Sequence, residues 1–392
     1  MPAALLYRLS RSWLMRLTLA LGLSSALIAW DLAHRQTPAA AQAAWPAPQL
    51  DFSQPLQRMG QGAIPMPERT PAAHASSLLA MPPASSAALM AFWFAGTKES
   101  AHDVGIAASG FDRITQQWQP ARFVVERHAL GQQLGFAVRR LGNPVAWLDA
   151  QGRVHLFVVA TGLGGWAAGR IVQLRQTQAQ KAQAAIKFDV VRVLPLSWWW
   201  NTSFLVRTAP LALRDGGMVL PVHFELGIKY PVALRFDGQG NFVDMTRLSA
   251  RNHILQPTLI AQDATHWLAL MRDQRVPGQI TTAKTQDSGV NWQDLPDLTL
   301  TNPDASVAAL ALVPGHYWLA HNSSAHSRNV LDLSHSVDGV SWQRVQPLAQ
   351  GSGTDEYSYP ALAWADDSLW VSYTDQRRHI AWQRFALPRR SN

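Results

Sequence analysis

The chain has 392 residues, 47% of them hydrophobic and 15% charged, with 25 Gly and 24 Pro, a composition too apolar and too varied for a disordered or collagen-like polymer. Cysteine is absent, which excludes disulfide frameworks, Cys-ligated zinc, iron–sulfur clusters and thiol nucleophiles together. The net charge of +8 is spread along the chain and forms no Lys/Arg stripe with interleaved aromatics, so no nucleic-acid partner is expected.

In chain order, residues 1–36 carry Arg8, Arg11 and Arg16 ahead of an apolar run at 17–30. That is the pattern of a signal peptide or of an N-terminal membrane anchor. Either reading exports the C-terminal body, giving a periplasmic protein that is tethered to the inner membrane or released. A small-residue cleavage motif, Ala41-Gln42-Ala43, lies well beyond Trp30. Residues 37–72 are rich in Ala, Pro and Gln, including Pro46, Pro48, Pro65 and Pro67, and read as a semi-extended spacer. The folded body, 73–388, begins near His74, and Arg389 and Arg390 mark a basic tail at 389–392.

Within 73–388, short runs rich in Val, Leu, Phe and Trp alternate with Gly, Asp, Asn and Pro, which predicts strands and turns. The clearest strands are expected at 89–95, 154–160, 218–224, 267–272, 317–321 and 369–373, while 173–185 reads as a short helix or an elaborated turn. A repeat is visible. Thr285-Gln286-Asp287-Ser288-Gly289-Val290-Asn291-Trp292 fits the Asp-box pattern Ser/Thr-x-Asp-x-Gly-x-Thr-Trp at all but the Thr position, and Ser336-Val337-Asp338-Gly339-Val340-Ser341-Trp342 is one residue shorter. The two aspartates stand 51 positions apart (287 and 338), and 109–118 reads as a third, degraded copy. In such a turn Asp accepts backbone N–H groups, Gly takes a positive φ and Trp packs beneath. Those residues are therefore structural. A period near 50 residues composed of strands predicts propeller blades, about six in the available length.

The Asp boxes occur in one order with His74-Ala75-Ser76-Ser77-Leu78, Trp93-Phe94-Ala95-Gly96-Thr97-Lys98-Glu99, Asp103-Val104, Gly142-Asn143-Pro144, Gly165-Trp166, Gln256-Pro257-Thr258-Leu259, Asn302-Pro303, Arg328 and Glu356-Tyr357-Ser358-Tyr359-Pro360. This set resembles the bacterial sialidase-like family of BNR-repeat, predicted neuraminidase proteins. The resemblance implies an all-β, six-bladed propeller and a glycosidase site with an arginine triad, a tyrosine nucleophile paired with a glutamate, and a loop carboxylate as acid/base. By motif, Arg272 falls on the second arginine, Arg328 on the third, Tyr359 on the nucleophile and Glu99 near the acid/base. His74 stands where the first arginine is expected, and Gln256 where the activating glutamate is expected.

A phenol needs a base to act as a nucleophile at neutral pH, and glutamine is not one. Glu225, in Leu220-Pro221-Val222-His223-Phe224-Glu225, ends a predicted strand and is the candidate replacement, paired with Glu99. Asp103, Gln256 and Asn302 join His74, Arg272 and Arg328 as candidate substrate contacts. Arg377 and Arg378 add cations at the rim. The expected partner is a glycan ending in an acidic sugar; the alternative is a propeller that binds glycan without cleaving it. No cofactor or metal is expected: the histidines lie singly, Gly162-Leu163-Gly164-Gly165 lacks a following Lys-Ser/Thr, and no Gly-x-Ser-x-Gly elbow exists. The run Trp198-Trp199-Trp200 is expected to pack in the core, with a sugar-stacking platform as the other reading.

Overall fold

A computed structural model describes residues 3–34, 41–46, 50–52, 54–177, 186–275 and 278–387. The last eight positions of the 173–185 stretch and the tail 389–392 lie outside these; 173–176 belong to a strand. Two units are distinct, 1–39 and 40–392. The first holds one helix, Ala3–His34, whose segment Ser12–Trp30 is long and apolar enough to cross a membrane.

The second unit is a six-bladed propeller of antiparallel four-stranded sheets, the third elaborated to five strands. Blade 1 runs Ala72–Ala80, Ala87–Gly96, Gly105–Asp112 and Arg122–Val125; blade 2 runs Arg140–Leu148, Val154–Thr161, Gly169–Gln176 and Phe188–Val193. Blade 3 starts with the broken strand Phe204–Val206 and Leu211–Ala212, followed by Met218–Phe224, Tyr230–Phe236 and Phe242–Arg247. Blade 4 is Ile254–Ala261, Trp267–Asp273, Thr281–Thr285 and Gln293–Leu295; blade 5 is Ala308–Val313, His316–Asn322, Val330–Ser336 and Gln343–Gln350. Blade 6 is Tyr357–Ala365, Ser368–Asp375 and His379–Ala386, and its fourth strand comes from the other end of the chain: Gln57–Ala63 pairs with His379–Ala386.

That pairing corrects the spacer expected at 37–72. Part of it is the strand that closes the ring. Upstream, Ala43 is fully buried and its N–H donates to Ala264 O at 2.9 Å, the N–H of Ala44 reaches Ala212 O at 2.9 Å, and Trp45 Nε1 reaches Ala261 O at 3.2 Å. Phe52 stacks on His316 with ring centroids 3.6 Å apart. A short helix, Arg127–Leu134, also escapes the strand pattern; it joins blades 1 and 2 and ends at Gly135, whose φ of 72° only glycine adopts without cost.

Because neighbouring strands are antiparallel, the links from second to third strand and from each blade to the next lie on one face of the ring. The Asp boxes lie on the other, between third and fourth strands. Asp287 Oδ1 accepts the Asn291 N–H at 2.8 Å and Trp292 Nε1 donates to Gly289 O at 3.1 Å; Asp338 Oδ1 accepts Val340 and Ser341 N–H at 2.8 and 2.7 Å. Asp112 makes the degraded copy, accepting Ile114 and Thr115 N–H at 3.0 and 2.8 Å. A further turn of this kind occurs at Asp237, 50 positions before Asp287, where Oδ1 accepts Gln239 and Asn241 N–H at 2.9 and 2.8 Å. Phe242 stands in place of its tryptophan.

At the start of the inner strand of every blade, or just before it, at least one non-glycine residue has a positive φ: Ala75 (56°), Asn143 (39°), Ser203 (73°), Gln256 (47°, with His253 at 61°), Asp304 (51°) and Tyr359 (53°). In blades 1, 2, 4 and 6 the pairing register shifts at this point. A bulge there re-aims a side chain that a regular strand would turn into the sheet. Such a conformation costs of order 1–3 kcal/mol per residue, and it recurs around the axis on one face.

Candidate functional site

Tyr359, the bulge residue of blade 6, meets side chains from blades 1, 3 and 4. The edge of His74 meets its ring at 4.3 Å between centroids, and the Arg207 guanidinium lies 5.0 Å from the ring centroid. Arg207 is buried, donates to Ser76 O at 3.1 Å and to Pro360 O at 2.8 Å, and has no carboxylate partner among the described residues. Burial lowers its pKa to about 10, with Tyr359 acting in the opposite sense. At neutral pH it remains a cation, stacked on the phenol from blade 3.

Arg272 of blade 4 faces the same tyrosine. Its Nε donates to Asp304 Oδ1 at 2.6 Å and its Nη1 to Gln256 Oε1 at 3.0 Å. Burial works against its charge, but Asp304 and Tyr359 outweigh burial and hold the guanidinium above its ordinary value. Gln256 thus serves as an acceptor for Arg272. Arg328 of blade 5 donates to Asp304 O at 2.6 Å and to Glu356 Oε1 at 3.3 Å. Glu356 also receives Arg377 in a two-pronged grip, Nε to Oε2 at 2.7 Å and Nη2 to Oε1 at 3.1 Å, and the Ser358 hydroxyl at 2.9 Å. Arg377 Nη1 pairs in turn with Glu99. Three guanidinium groups from blades 4, 5 and 6 are therefore linked through Asp304 and Glu356.

His74 is 3% exposed, and both ring nitrogens are buried without a hydrogen-bond partner among the described residues. Burial first, then the Arg377 charge, lowers its pKa to about 3. A neutral imidazole cannot replace an arginine as a cation. Arg377 is adjacent: His74, Glu99 and Arg377 line one small cavity with Phe94 and Lys98.

Glu225 belongs to a separate group in blade 3. Its carboxylate accepts from Lys229 Nζ at 3.0 Å and lies 3.3 Å from His223 Nε2. Burial pushes this carboxyl up, but His223 and Lys229 prevail and hold it below the usual glutamate value. His223 is itself lowered, chiefly by burial, and also feels the Arg272 charge. A neutral ring facing a carboxylate carries its proton on Nε2. Glu99 and Glu225 thus sit in different ion-pair groups. Asp103 closes its own loop, with Oδ2 accepting the Thr97 N–H at 3.0 Å, and Asn302 Oδ1 caps a turn through the Ala305 N–H at 2.7 Å.

Sequence reasoning missed Arg207, His223, Lys229, Asp304 and the role of Glu356. Arg207 had one signal, a cation closing the apolar run Phe204-Leu205-Val206. The others acquire meaning only through partners far away in the chain.

Burial raises the Glu356 carboxyl, yet Arg377, Ser358 and Arg328 together hold it at about 2, against an ordinary 4.5. A depressed acid contributes stability that is complete above its unfolded value and is lost as pH falls through its folded value. The expected result is a fall in unfolding midpoint between about pH 4.5 and pH 2 that is reduced in Glu356→Gln, at most about 3 kcal/mol. Matching acid profiles for the two proteins would count against the pairing.

The family profile for the BNR repeat-like domain matches residues 87–371, well over half of the chain. No curated protein sequence matches. Among solved structures, a Hadza microbial sialidase superposes with a TM-score of 0.64 at 16% identity, over 81% of this chain and 66% of that one. The Trypanosoma rangeli sialidase in complex with sialic acid gives 0.61 at 11% identity, over 87% and 60%. The chain therefore spans about two thirds or less of these sialidases. A protein of unknown function from Dyadobacter fermentans gives 0.65 at 11%, over 85% of this chain and 99% of its own. At these identities the structures establish the shared propeller fold, and the profile establishes the family: the chain belongs to the BNR repeat-like domain family.

Proposed function

We propose that the protein is an exported, sialidase-like glycoside hydrolase acting on a terminal acidic sugar of a glycan. The observation that supports this most is the linkage of Arg272, Arg328 and Arg377 from three blades through Asp304 and Glu356, with Arg272 facing Tyr359. Arginine forks suit a planar substrate carboxylate. Arg377 takes the position of the missing cation beside neutral His74. Tyr359, flanked by Arg207 and Arg272, is the proposed nucleophile. Glu225, ionised and near Arg272 through His223, is the proposed base in place of Gln256, and Glu99, held by Arg377, the proposed acid. Gln256 positions Arg272; Asp103 and Asn302 shape the loops around the substrate.

Release of sugar from a panel of sialylated, ulosonic and uronic-acid glycans tests the reading. Turnover on an acidic terminal sugar is expected. Glycan binding with no turnover anywhere would instead favour the non-catalytic propeller, a reading supported by Gln256 and by the pairing of Arg272 and Arg377 with Asp304, Glu356 and Glu99.

For the N-terminal segment we propose a retained anchor. The only small-residue motif proposed for cleavage, Ala41-Gln42-Ala43, is part of the folded propeller: Ala41 and Ala43 are buried, and Ala43 bridges Leu213. Cleavage after Ala43 would remove these contacts. The protein recovered from membranes is expected to have the intact mass of the whole chain and to resist alkaline carbonate extraction; a mature N-terminus at Ala44 would refute this.

A further inference from the structure

The run Trp198-Trp199-Trp200, expected in the core, is on the surface. Trp198 and Trp199 are each 82% exposed and Trp200 56%. Its loop, 194–203, joins blade 2 to blade 3 on the same face as the bulges. The base is firmly built: Asn201 Oδ1 accepts Leu196 and Ser197 N–H at 2.9 and 3.3 Å, Asn201 Nδ2 donates to Leu194 O at 2.8 Å, and the Trp200 N–H reaches Ser197 Oγ at 3.1 Å. The tip is therefore displayed by a constructed turn.

Ser203 ties this loop to its neighbours. Its hydroxyl donates to Ala167 O in the link between the second and third strands of blade 2, and its carbonyl accepts the Glu225 N–H at 2.8 Å in the matching link of blade 3. Those two links also carry exposed apolar residues, Leu163 (78%), Leu226 (44%) and Ile228 (59%). Three adjacent loops, tied at Ser203, thus present six exposed apolar residues as one apolar lip, the kind of surface that marks an interaction site.

The chemistry of the lip identifies its occupant. A sugar face would stack on the indoles but gains little from Leu163, Leu226 and Ile228. Tryptophan mixed with aliphatic tips matches the headgroup boundary of a bilayer, where the rings keep their N–H groups wet. Flanking the lip in the chain are Arg170 and, joined by its N–H to Thr161 O, Arg139, and the only acid in the three loops, Glu225, is paired with Lys229. That balance suits anionic headgroups. The same chain holds a helix long and apolar enough to cross a membrane. We propose that the lip formed by 161–169, 194–203 and 224–230 inserts into the interface of an anionic lipid bilayer. The proposal is independent of any chemistry at Tyr359.

The absence of cysteine makes a clean test. The full chain carrying Trp199→Cys, labelled with an environment-sensitive fluorophore, is reconstituted in vesicles of phosphatidylcholine with phosphatidylglycerol and of phosphatidylcholine alone, each with headgroup-level spin-labelled lipid as quencher. Val340→Cys, on the opposite face, is the control. Several-fold stronger quenching at 199 than at 340 in the anionic vesicles, diminished in the neutral ones, is expected. A second variant reports without replacing Trp199: a label at Leu163→Cys should lose its quenching when Trp198→Ser and Trp200→Ser are added. Equal quenching at 199 and 340, undiminished quenching in neutral vesicles, or a response at 199 to soluble oligosaccharide and not to lipid would overturn the proposal.

Discussion

Replacing Glu225 by glutamine is expected to lower kcat on the acidic glycoside by roughly 10²–10⁴-fold with little change in KM, the loss typical of removing a general base. The substitution keeps the shape and one acceptor for Lys229 but removes the charge. Tyr359→Phe is expected to lose a comparable factor, because in the proposed mechanism it removes the nucleophile while the ring still packs against His74 and Arg207. Both losses together fit a covalent tyrosine mechanism in which Glu225 replaces the glutamate absent at Gln256. Loss in Glu225→Gln alone would instead assign the chemistry to carboxylates, and full turnover in Glu225→Gln would remove Glu225 from the mechanism. The pH profile provides a further check. With the Glu225 carboxyl held below its ordinary 4.5 by His223 and Lys229, the acidic limb of kcat/KM should fall below that pH in the native protein.

The propeller was legible in the sequence because its marks are local. Asp287, Gly289 and Trp292 build a turn from residues within six positions of one another, and the same chemistry recurs at Asp338. The turn at Asp237 escapes the pattern because Arg235 and Phe242 replace the hydroxyl and indole that complete it. The axial bulges were half visible: Asn143-Pro144, Gln256-Pro257 and Tyr359-Pro360 mark interruptions, since proline cannot donate to a ladder, but no propensity reports that the preceding residue adopts a positive φ. The arginines at 272 and 328 carried motif context, whereas Asp304 and Glu356, which link them to each other and to Arg377, are charges whose role depends on ring closure.

Two misreadings share a physical origin, the assumption that composition fixes environment. Residues 37–72 are poor in the β-branched and aromatic residues of a typical strand, yet Gln57–Ala63 pairs with His379–Ala386 because blade 6 otherwise lacks an outer strand. Three consecutive tryptophans suggest a core, yet Asn201 and Ser197 turn the chain outward so that their rings face water. In both cases a backbone hydrogen-bond requirement outweighs side-chain character.

The largest stability effect is expected where the ring closes. Trp370 is fully buried in blade 6, donates through Nε1 to Ala365 O at 3.1 Å, and meets the ring of Phe111 in blade 1 edge-on at 4.7 Å between centroids. Trp118 of blade 1 and Trp382 of blade 6 complete the cluster at 6.2 and 5.5 Å. The closing strand is fitted to it: a Cβ on Gly60 would stand 3.0 Å from the Trp382 ring, so that position must stay small. Trp370→Ala should therefore cost about 3–5 kcal/mol, and the damage should spread across the seam. Hydrogen exchange is expected to accelerate together in Gln57–Ala63 and in Gly105–Asp112, which lie far apart in sequence and share this cluster, while Val154–Thr161 on the far side of blade 1 keeps its protection. Acceleration confined to blade 6 would mean that the aromatic seam does not couple the two blades, and that the hydrogen bonds of Gln57–Ala63 alone hold the propeller closed.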